Sequence, residues 1–405
     1  MAQRKLLTNG NAHKRTDDRW CGVVWYMDEQ EQRKRKSFSG TTKAEVNKKM
    51  TEYISNFDKE VLNTVVARKT LEEGLGEWLR VFKFPSVERA TYDRCECSAR
   101  NQIYPALGKK VIGNITAAMI KKLLNDLTAK DYAYTTVKGT YNLLNEYFRY
   151  LEQEELIEKN PMRNVQMLKK ANFLSAQGKE FKPTCETVTV FTPEEIEKFK
   201  AEAFRVFSNG KRCYQQAAAY VLMLNTGLRT GEMLGLRNSD IDLENRVMHI
   251  NQAVKEVSKR DGTESVPGRE VQIGKPKSAT SKRDVPLNDA AIAMIQDLRE
   301  ELYFGEDAPL IPDENGDYTR PLNFRKRYYR ILKAAKIERR GLHCLRHTFA
   351  TNLVNGIKQP DGSIKSLTPR QVADLLGHTT SEITEMYYVK KDTTRLLGIT
   401  NDFLL

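Results

Sequence analysis

The stretch "GLHCLRHTFATNLV", residues 341–354, places two histidines and an arginine within five consecutive positions. Its apolar residues recur at helical spacing, so the pattern predicts an amphipathic helix. His343 and Arg346 are three positions apart and share one face of that helix. The opposite side is apolar and is predicted to be buried: Leu345, Phe349, Leu353 and Val354. The polar face suits a phosphate, because arginine offers planar, permanently charged donors and histidine exchanges a proton near neutral pH.

A metal site is the alternative interpretation of the two histidines. His343 and His347 have the i, i+4 spacing of a metal-binding pair on a helix. The metalloprotease form of this motif places Glu directly after the first histidine, and Cys344 stands there instead. We therefore predict no metal, and we interpret His347 as a hydrogen-bonded helix residue that supports its neighbours.

Upstream, "LNTGLRTGEMLGL" (224–236) places Arg229 near the predicted start of a helix. A cation is disfavoured at that end of the helix dipole, unless it faces an anion. Glu232, one turn later, could hold the guanidinium in place. Next, "VQIGKPKSATSKRDVPL" (271–287) predicts a strand, a polar turn and a second strand, with Lys277 in the hairpin between them.

The last polar segment is "ADLLGHTTSEITEMYYVK" (373–390), with His378 and the adjacent pair Tyr387 and Tyr388. Taken together, the order Arg, Lys, His-x-x-Arg, His, Tyr over residues 229–387 resembles the tyrosine recombinase family, which includes the integrases of phages and conjugative elements. "TGLRTGE", "HCLRH" and "LLGH" carry this resemblance as a set. Each element alone is weak.

The resemblance implies a role for each matching position. Arg229 and Arg346 correspond to the two arginines that clamp the scissile phosphate, and Lys277 to the hairpin lysine that protonates the leaving oxygen. The other matching positions are His343 and His378 at the phosphate and Tyr387 as the nucleophile. Tyr387 follows His378 by nine residues, which favours it over Tyr388. Lys275 and Lys282 are weaker alternatives to Lys277. No metal or cofactor is implied.

The implied function is that of a site-specific DNA recombinase, which integrates and excises a mobile element through a 3′-phosphotyrosyl intermediate. The implied partners are double-stranded DNA with core and arm-type sites, three further copies in a homotetramer, and accessory excision and DNA-bending proteins. Two alternatives stay open: a type IB topoisomerase, and a DNA-binding regulator without catalysis. A basic N-terminal module and the apolar tail "LLGITNDFLL" (396–405) favour the recombinase.

Composition agrees with a nucleic-acid partner. The net charge is +13, and residues 1–70 hold fifteen Lys and Arg against nine Asp and Glu. Such a charge attracts polyanions, although it does not identify DNA by itself. No apolar run is long enough for a membrane span, the N-terminus lacks the apolar core of a secretory signal, and the six cysteines show no paired zinc spacing. We therefore expect a bacterial cytoplasmic protein with reduced thiols and no membrane association.

The predicted fold is multidomain and mainly α, with small β elements. Residues 1–66 should form an arm-type DNA-binding domain, a small sheet with one helix, in which the run Arg33, Lys34, Arg35 and Lys36 contacts DNA. Residues 67–170 should form a helical core-binding domain, because the apolar positions recur at helical spacing throughout. A linker is predicted at 171–190. The mixed α+β catalytic domain with its C-terminal tail should follow at 191–405.

Overall fold

The computed structural model describes residues 5–8, 10–28, 32–274, 282–358 and 364–388, except the side chains of residues 56, 58–65 and 67. The chain divides into two compact units, Met1–Phe181 and Lys182–Leu405. Both are mainly helical with small sheets, which is the fold class that the sequence predicts.

The first unit opens with a small antiparallel sheet. Its strands are β1 (Lys5–Leu6), β2 (His13–Lys14), β3 (Trp20–Met27) and β4 (Arg33–Gly40). β3 is central: β1 and β2 pair with one of its edges, and β4 pairs along its full length. The helix α1 (Lys43–Arg68) follows, with Thr42 as its N-cap. Val24 of the sheet packs against Val46 and Met50 of α1. α1 continues to Arg68 without a break, past the predicted boundary at residue 66.

The rest of the first unit is a helical bundle. Its helices are α2 (Leu71–Trp78), α3 (Phe84–Ser86), α4 (Arg89–Ser98), α5 (Ala117–Ala129), α6 (Tyr134–Gln153) and α7 (Lys170–Ala176). Wider π-type turns connect α2 to α3 over Leu79–Lys83 and extend α4 over Ala99–Gly108. Short 3₁₀ turns lie at Ile112–Asn114 and Pro161–Asn164. The apolar faces predicted on α5 and α6 are buried in one core.

The predicted linker at 171–190 contains helix at both ends. Phe173 of α7 is buried in the core of the helical bundle. A second short helix, α8 (Thr184–Thr187), belongs to the other unit. The segment lacks clear periodicity because each helix is too short to show it, so the sequence pattern did not reveal them.

The second unit surrounds a large aromatic and aliphatic core that includes Phe199, Tyr220, Phe324 and Tyr328. After α8, its helices are α9 (Pro193–Ala203), α10 (Ala218–Thr226), α11 (Thr230–Gly235), α12 (Asp289–Glu301), α13 (Pro321–Ala334), α14 (His343–Asn355), α15 (Pro369–Leu376) and α16 (Ser381–Tyr388). α9 begins with Thr192 as its N-cap and proline at its first position.

In the described part of this unit, the strands are β5 (Ile241–Asp242), β6 (Val247–Ile250), β7 (Ala253–Asp261), β8 (Glu264–Gly274), β9 (Arg283–Pro286), β10 (Ile357–Lys358) and β11 (Ile364–Lys365). The order in the three-stranded sheet is β5-β6-β9, while β7 pairs with β8 and β10 with β11. The prediction that the two strands of 271–287 pair with each other as a hairpin is therefore wrong. In the described residues, the strand before Lys277 pairs with β7 and the strand after it pairs with β6.

Among the described residues, no helix combines the length and the apolar character that a bilayer crossing requires.

Candidate active site

Arg346 is buried beneath a cleft of the second unit, at 1% exposure. Its two terminal nitrogens donate to the carbonyl oxygens of Gly227, after α10, and Leu376, at the end of α15, both at 2.8 Å. Both carbonyls lie at helix C-termini, where the peptide dipoles concentrate negative charge. Burial, and then the nearby Arg229, lower the pKa of Arg346 to about 9. The guanidinium is therefore held in a fixed orientation before any ligand binds.

Gly227 explains why the turn before Arg229 reads Thr-Gly-Leu-Arg. Its φ of +64° lies in the left-handed region that L side chains rarely adopt. A Cβ at this position would also come within 2.4 Å of the Phe349 ring. Only glycine fits, and it lets the turn present its carbonyl to Arg346.

Arg229 precedes α11, at the predicted helix start, and its side chain is partly exposed to the cleft. Its Nη1 donates to Oε1 of Glu232 at 2.7 Å, and its backbone N–H donates to Oε2 of the same carboxylate at 2.9 Å. Glu232 is only 3% exposed. Burial alone would raise the pKa of this carboxyl, but the guanidinium groups of Arg283 and Arg229 hold it below its usual value.

Arg283 is a site residue that the sequence analysis did not single out. It lies on β9, its side chain is 7% exposed, and Nη1 and Nη2 donate to the two oxygens of Glu232 at 3.2 and 3.1 Å. Its Nε donates to the carbonyl of Leu375 at 2.8 Å. In the sequence it is one of two adjacent cations in "SKRDVPL", and no spacing rule distinguishes it from Lys282.

Three histidines form one wall of the cleft. His343 and His347 lie on α14 with their rings edge to face, and His378 follows α15 with its Nδ1 2.8 Å from the Thr384 hydroxyl. Burial lowers the pKa of each ring to about 4, assisted by Arg346 in every case. All three rings are therefore neutral near pH 7, and they donate or accept protons according to their tautomers.

Two tyrosines at the end of α16 complete the cleft. Tyr388 is 3% exposed, and its hydroxyl oxygen lies 2.9 Å from Nδ1 of His347. Burial raises the pKa of Tyr388. Tyr387 is only half-buried, and its ring stacks on that of His347 at 6.0 Å between centroids. The two hydroxyl groups therefore differ in access, since that of Tyr388 already has a hydrogen-bonding neighbour.

The structure brings most of the predicted site residues to a cleft of about 320 Å³, which is lined by Arg229, His343, Arg346, His347, His378, Ile383, Tyr387 and Tyr388. Glu232 lies directly behind Arg229. Lys277 and its alternative Lys275 fall outside the described residues, as does the tail 396–405. Lys282 is exposed just before β9. The cations Arg33–Lys36 lie on exposed β4 in the other unit.

The electrostatic character of the cleft follows from this arrangement. Glu232 pairs with the guanidinium groups of Arg229 and Arg283, and Arg346 adds a third guanidinium nearby, so positive charge is in excess. The neutral histidines and the tyrosines add uncharged hydrogen-bonding groups around it. Preorganised positive charge beside a half-buried hydroxyl is suited to attack on a phosphodiester, whose negative charge increases as the nucleophile approaches.

Comparison with known proteins identifies the chain. The family model described as the phage integrase family matches residues 189–395, more than half of the chain and nearly the whole of the second unit. The chain belongs to the phage integrase family. The integrase also matches, at residues 70–128, the N-terminal SAM-like domain of phage integrases. It is a tyrosine recombinase, an enzyme that cleaves and rejoins DNA.

Relatives of the integrase include recombinases and transposon proteins. It is 29% identical over 394 residues to a XerC-like tyrosine recombinase of Caldanaerobacter subterraneus subsp. tengcongensis, with 92% of each chain covered. It is 25% identical over 300 residues to the transposase of transposon Tn916 from Enterococcus faecalis, which covers 70% of this chain and 65% of that protein.

Solved structures share the fold. The integrase of transposon Tn1549 in complex with a circular intermediate DNA matches with a TM-score of 0.62 and 19% identity, over 83% of this chain and all of that chain. A lambda integrase tetramer bound to a Holliday junction matches with a TM-score of 0.56 and 16% identity, over 92% of this chain and 94% of that chain.

Proposed function

We propose that the integrase recombines the DNA of a mobile element at specific sites, and that Tyr387 is its nucleophile. One observation carries the residue assignment: the cleft that holds the guanidinium groups of Arg229 and Arg346 is also lined by a half-buried tyrosine. Tyr388 supports the assignment by contrast, because its hydroxyl is buried against His347. The nine-residue offset from His378 favours the same tyrosine.

In the proposed cleavage step, the Tyr387 oxygen attacks the phosphorus and the bond from phosphorus to the 5′ oxygen breaks. Arg229 and Arg346 bind the non-bridging oxygens and stabilise the additional charge of the five-coordinate transition state. Each such donor contributes about 10²–10³ in rate. Because Arg346 already has its orientation fixed by two carbonyl groups, little reorganisation is needed when the phosphate arrives.

Two proton transfers accompany this step. A tyrosine hydroxyl has an ordinary pKa near 10, so at neutral pH it needs a base that accepts its proton. His343 fits that role because it is neutral and lines the cleft. The departing 5′ oxygen needs a proton, and we assign its donation to Lys277 from the motif match. The resulting 3′-phosphotyrosyl bond keeps the energy of the phosphodiester, so a 5′ hydroxyl of another strand can reseal it.

The assembly on DNA is part of the same proposal. The similarity to the transposase of transposon Tn916 supports a mobile element, and the similarity to a lambda integrase tetramer on a Holliday junction supports a tetramer. We infer that the integrase acts as a homotetramer on core sites in the bacterial cytoplasm. The sheet of the first unit contacts arm-type sites through Arg33–Lys36, and accessory proteins bend the DNA or direct excision.

Covalent trapping tests the chemistry. Footprinting on the DNA that flanks the gene supplies the core site, and a duplex nicked near the cleavage position traps the intermediate. Wild type and Tyr388→Phe should form a covalent adduct at the 3′ phosphate, whereas Tyr387→Phe should form none. An adduct in Tyr387→Phe that disappears in Tyr388→Phe would reassign the nucleophile. No adduct in wild type would refute the proposed catalysis and favour a regulator.

Plasmid relaxation separates recombination from topoisomerase activity. We expect little relaxation of a supercoiled plasmid that lacks the core site, because cleavage should need the assembled site. Efficient turnover on such a plasmid by monomers would contradict the proposal.

A further inference from the structure

Three arginines converge on one turn of the backbone behind the cleft. Arg283 Nε donates to the carbonyl of Leu375 and Arg346 Nη2 to that of Leu376, both at 2.8 Å. Arg229 Nη2 lies within hydrogen-bonding range of the next carbonyl, that of Gly377, at 3.4 Å. Successive carbonyl groups at the C-terminus of α15 therefore each meet a different guanidinium.

Arg283 differs from the other two arginines in its position. Arg229 and Arg346 line the cleft, whereas Arg283 lies behind it on β9. It reaches the site through Glu232, because its two terminal nitrogens bind both oxygens of that carboxylate. Arg229 shares one of these oxygens, at 2.7 Å. The position of the carboxylate thus depends on Arg283, and the position of Arg229 depends on the carboxylate.

We propose that Arg283 is a positioning residue of the integrase: it fixes Glu232 and so keeps the Arg229 guanidinium turned toward the scissile phosphate. The proposal rests on the proposed function of the cleft. Without Arg283, the Glu232 carboxylate is held only by Arg229, through its backbone N–H and Nη1, and it can turn to form a bidentate pair with that guanidinium, the geometry that arginine and carboxylate prefer. That pair would compete with the phosphate for the same donors.

Three variants test this role. Arg283→Met keeps much of the side-chain volume and removes the hydrogen bonds to Glu232 and to the Leu375 carbonyl. Arg283→Lys keeps the charge, but a single ammonium group cannot replace the planar fork at both oxygens and the Leu375 carbonyl. Arg212→Met is the matched control, because Arg212 makes a bidentate pair with Asp297 in the same unit and does not line the cleft.

The assay compares two substrates that differ in charge. One suicide duplex carries the natural phosphodiester at the cleavage position, and the other carries a neutral methylphosphonate. On the phosphodiester, Arg283→Met should form the covalent adduct about 10–100 times more slowly than wild type, which is less than the loss of a direct donor. On the methylphosphonate, the rate of adduct formation by wild type should exceed that of Arg283→Met by about threefold or less, since cleavage at a neutral phosphorus centre depends less on the positive charge of Arg229.

Arg283→Lys should lie between wild type and Arg283→Met on the phosphodiester, and it provides the comparison if the methionine variant does not fold. Arg212→Met should match wild type on both substrates. Equal losses on the two substrates, or no loss on the phosphodiester, would overturn the positioning role alone. Wild type that forms no adduct with either duplex would refute the proposed function, and the positioning role with it.

Discussion

Replacing Glu232 with glutamine leaves the three guanidinium groups of Arg229, Arg283 and Arg346 without the carboxylate that lies among them. Glu232 is 3% exposed, so water cannot compensate for the lost charge. Breaking a buried ion pair by removing one partner costs about 3–5 kcal/mol. The glutamine oxygen still accepts one hydrogen bond, so we expect a loss of about 3 kcal/mol in the free energy of unfolding. In a domain of this size that lowers Tm by about 6–12 °C.

Thermal unfolding followed by circular dichroism, with and without inorganic phosphate, measures this effect. Phosphate should raise the Tm of Glu232→Gln more than that of wild type, because an anion in the cleft offsets the uncompensated positive charge. The matched control is Asp240→Asn. Asp240 is also a buried carboxylate, bound by Arg237 through both oxygens, but it does not line the cleft. Its variant should lose stability, and phosphate should raise its Tm only as much as that of wild type.

The lowered pKa of Glu232 determines how the stability difference between wild type and Glu232→Gln depends on pH. The pKa of Glu232 is lowered from 4.5, since Arg283 and Arg229 overcome the effect of burial. The contribution of the ionised carboxylate is therefore complete above about pH 4.5, and it is lost as pH falls through the folded-state pKa. The Tm difference between wild type and Glu232→Gln should narrow in acid. An unchanged Tm at pH 7, with equal responses to phosphate, would refute the reasoning.

Three further perturbations test other parts of the molecule. Arg346→Gln should slow adduct formation by about 10²–10³ in single-turnover assays, and a loss below tenfold would contradict its role as a direct phosphate donor. DNA binding at pH 6 should take up protons, because a bound phosphate raises the pKa of the three cleft histidines from about 4. Calorimetry in two buffers of different ionisation enthalpy measures the number of protons taken up. Release of protons on binding would contradict this prediction. Replacing Arg35 and Lys36 of β4 together with alanine should weaken arm-site binding and reduce the salt slope by about two, and an unchanged slope would exclude these side chains from the contact.

The sequence predicted the cleft residues well where a motif fixed their local setting. On the apolar side of α14 Leu345 is buried, whereas Phe349, Leu353 and Val354 are only partly buried, and His343 on the polar side lines the cleft. Arg346 lines the cleft, but the sequence did not predict that its side chain is almost fully buried and bound to two carbonyl groups. Helical spacing gives the side of a helix on which a residue lies. It does not give how deeply the side chain is buried, because that depends on the residues of α10 and α15 that pack against α14.

Two features could not be predicted from local patterns. Arg283 acts through Glu232, which lies 51 positions earlier in the chain, and nothing in its own neighbourhood marks that partner. The pairing of β8 and β9 was predicted wrongly for a related reason. Alternation of residue types identifies a strand, whereas its partner depends on the rest of the sheet. Here β8 pairs with β7 and β9 pairs with β6, and both partners lie earlier in the chain.

The turn after α15 has a consequence for attempts to redirect this enzyme to new DNA sequences. Gly377 has a φ of +66°, and three neighbouring peptide oxygens each meet a different arginine there. A substitution that reshapes this turn displaces all three cations together, so the chemistry is lost as a unit. Libraries that vary DNA-reading surfaces should therefore keep "LLGH" constant, because no change elsewhere in the cleft can replace the carbonyl groups that hold all three arginines.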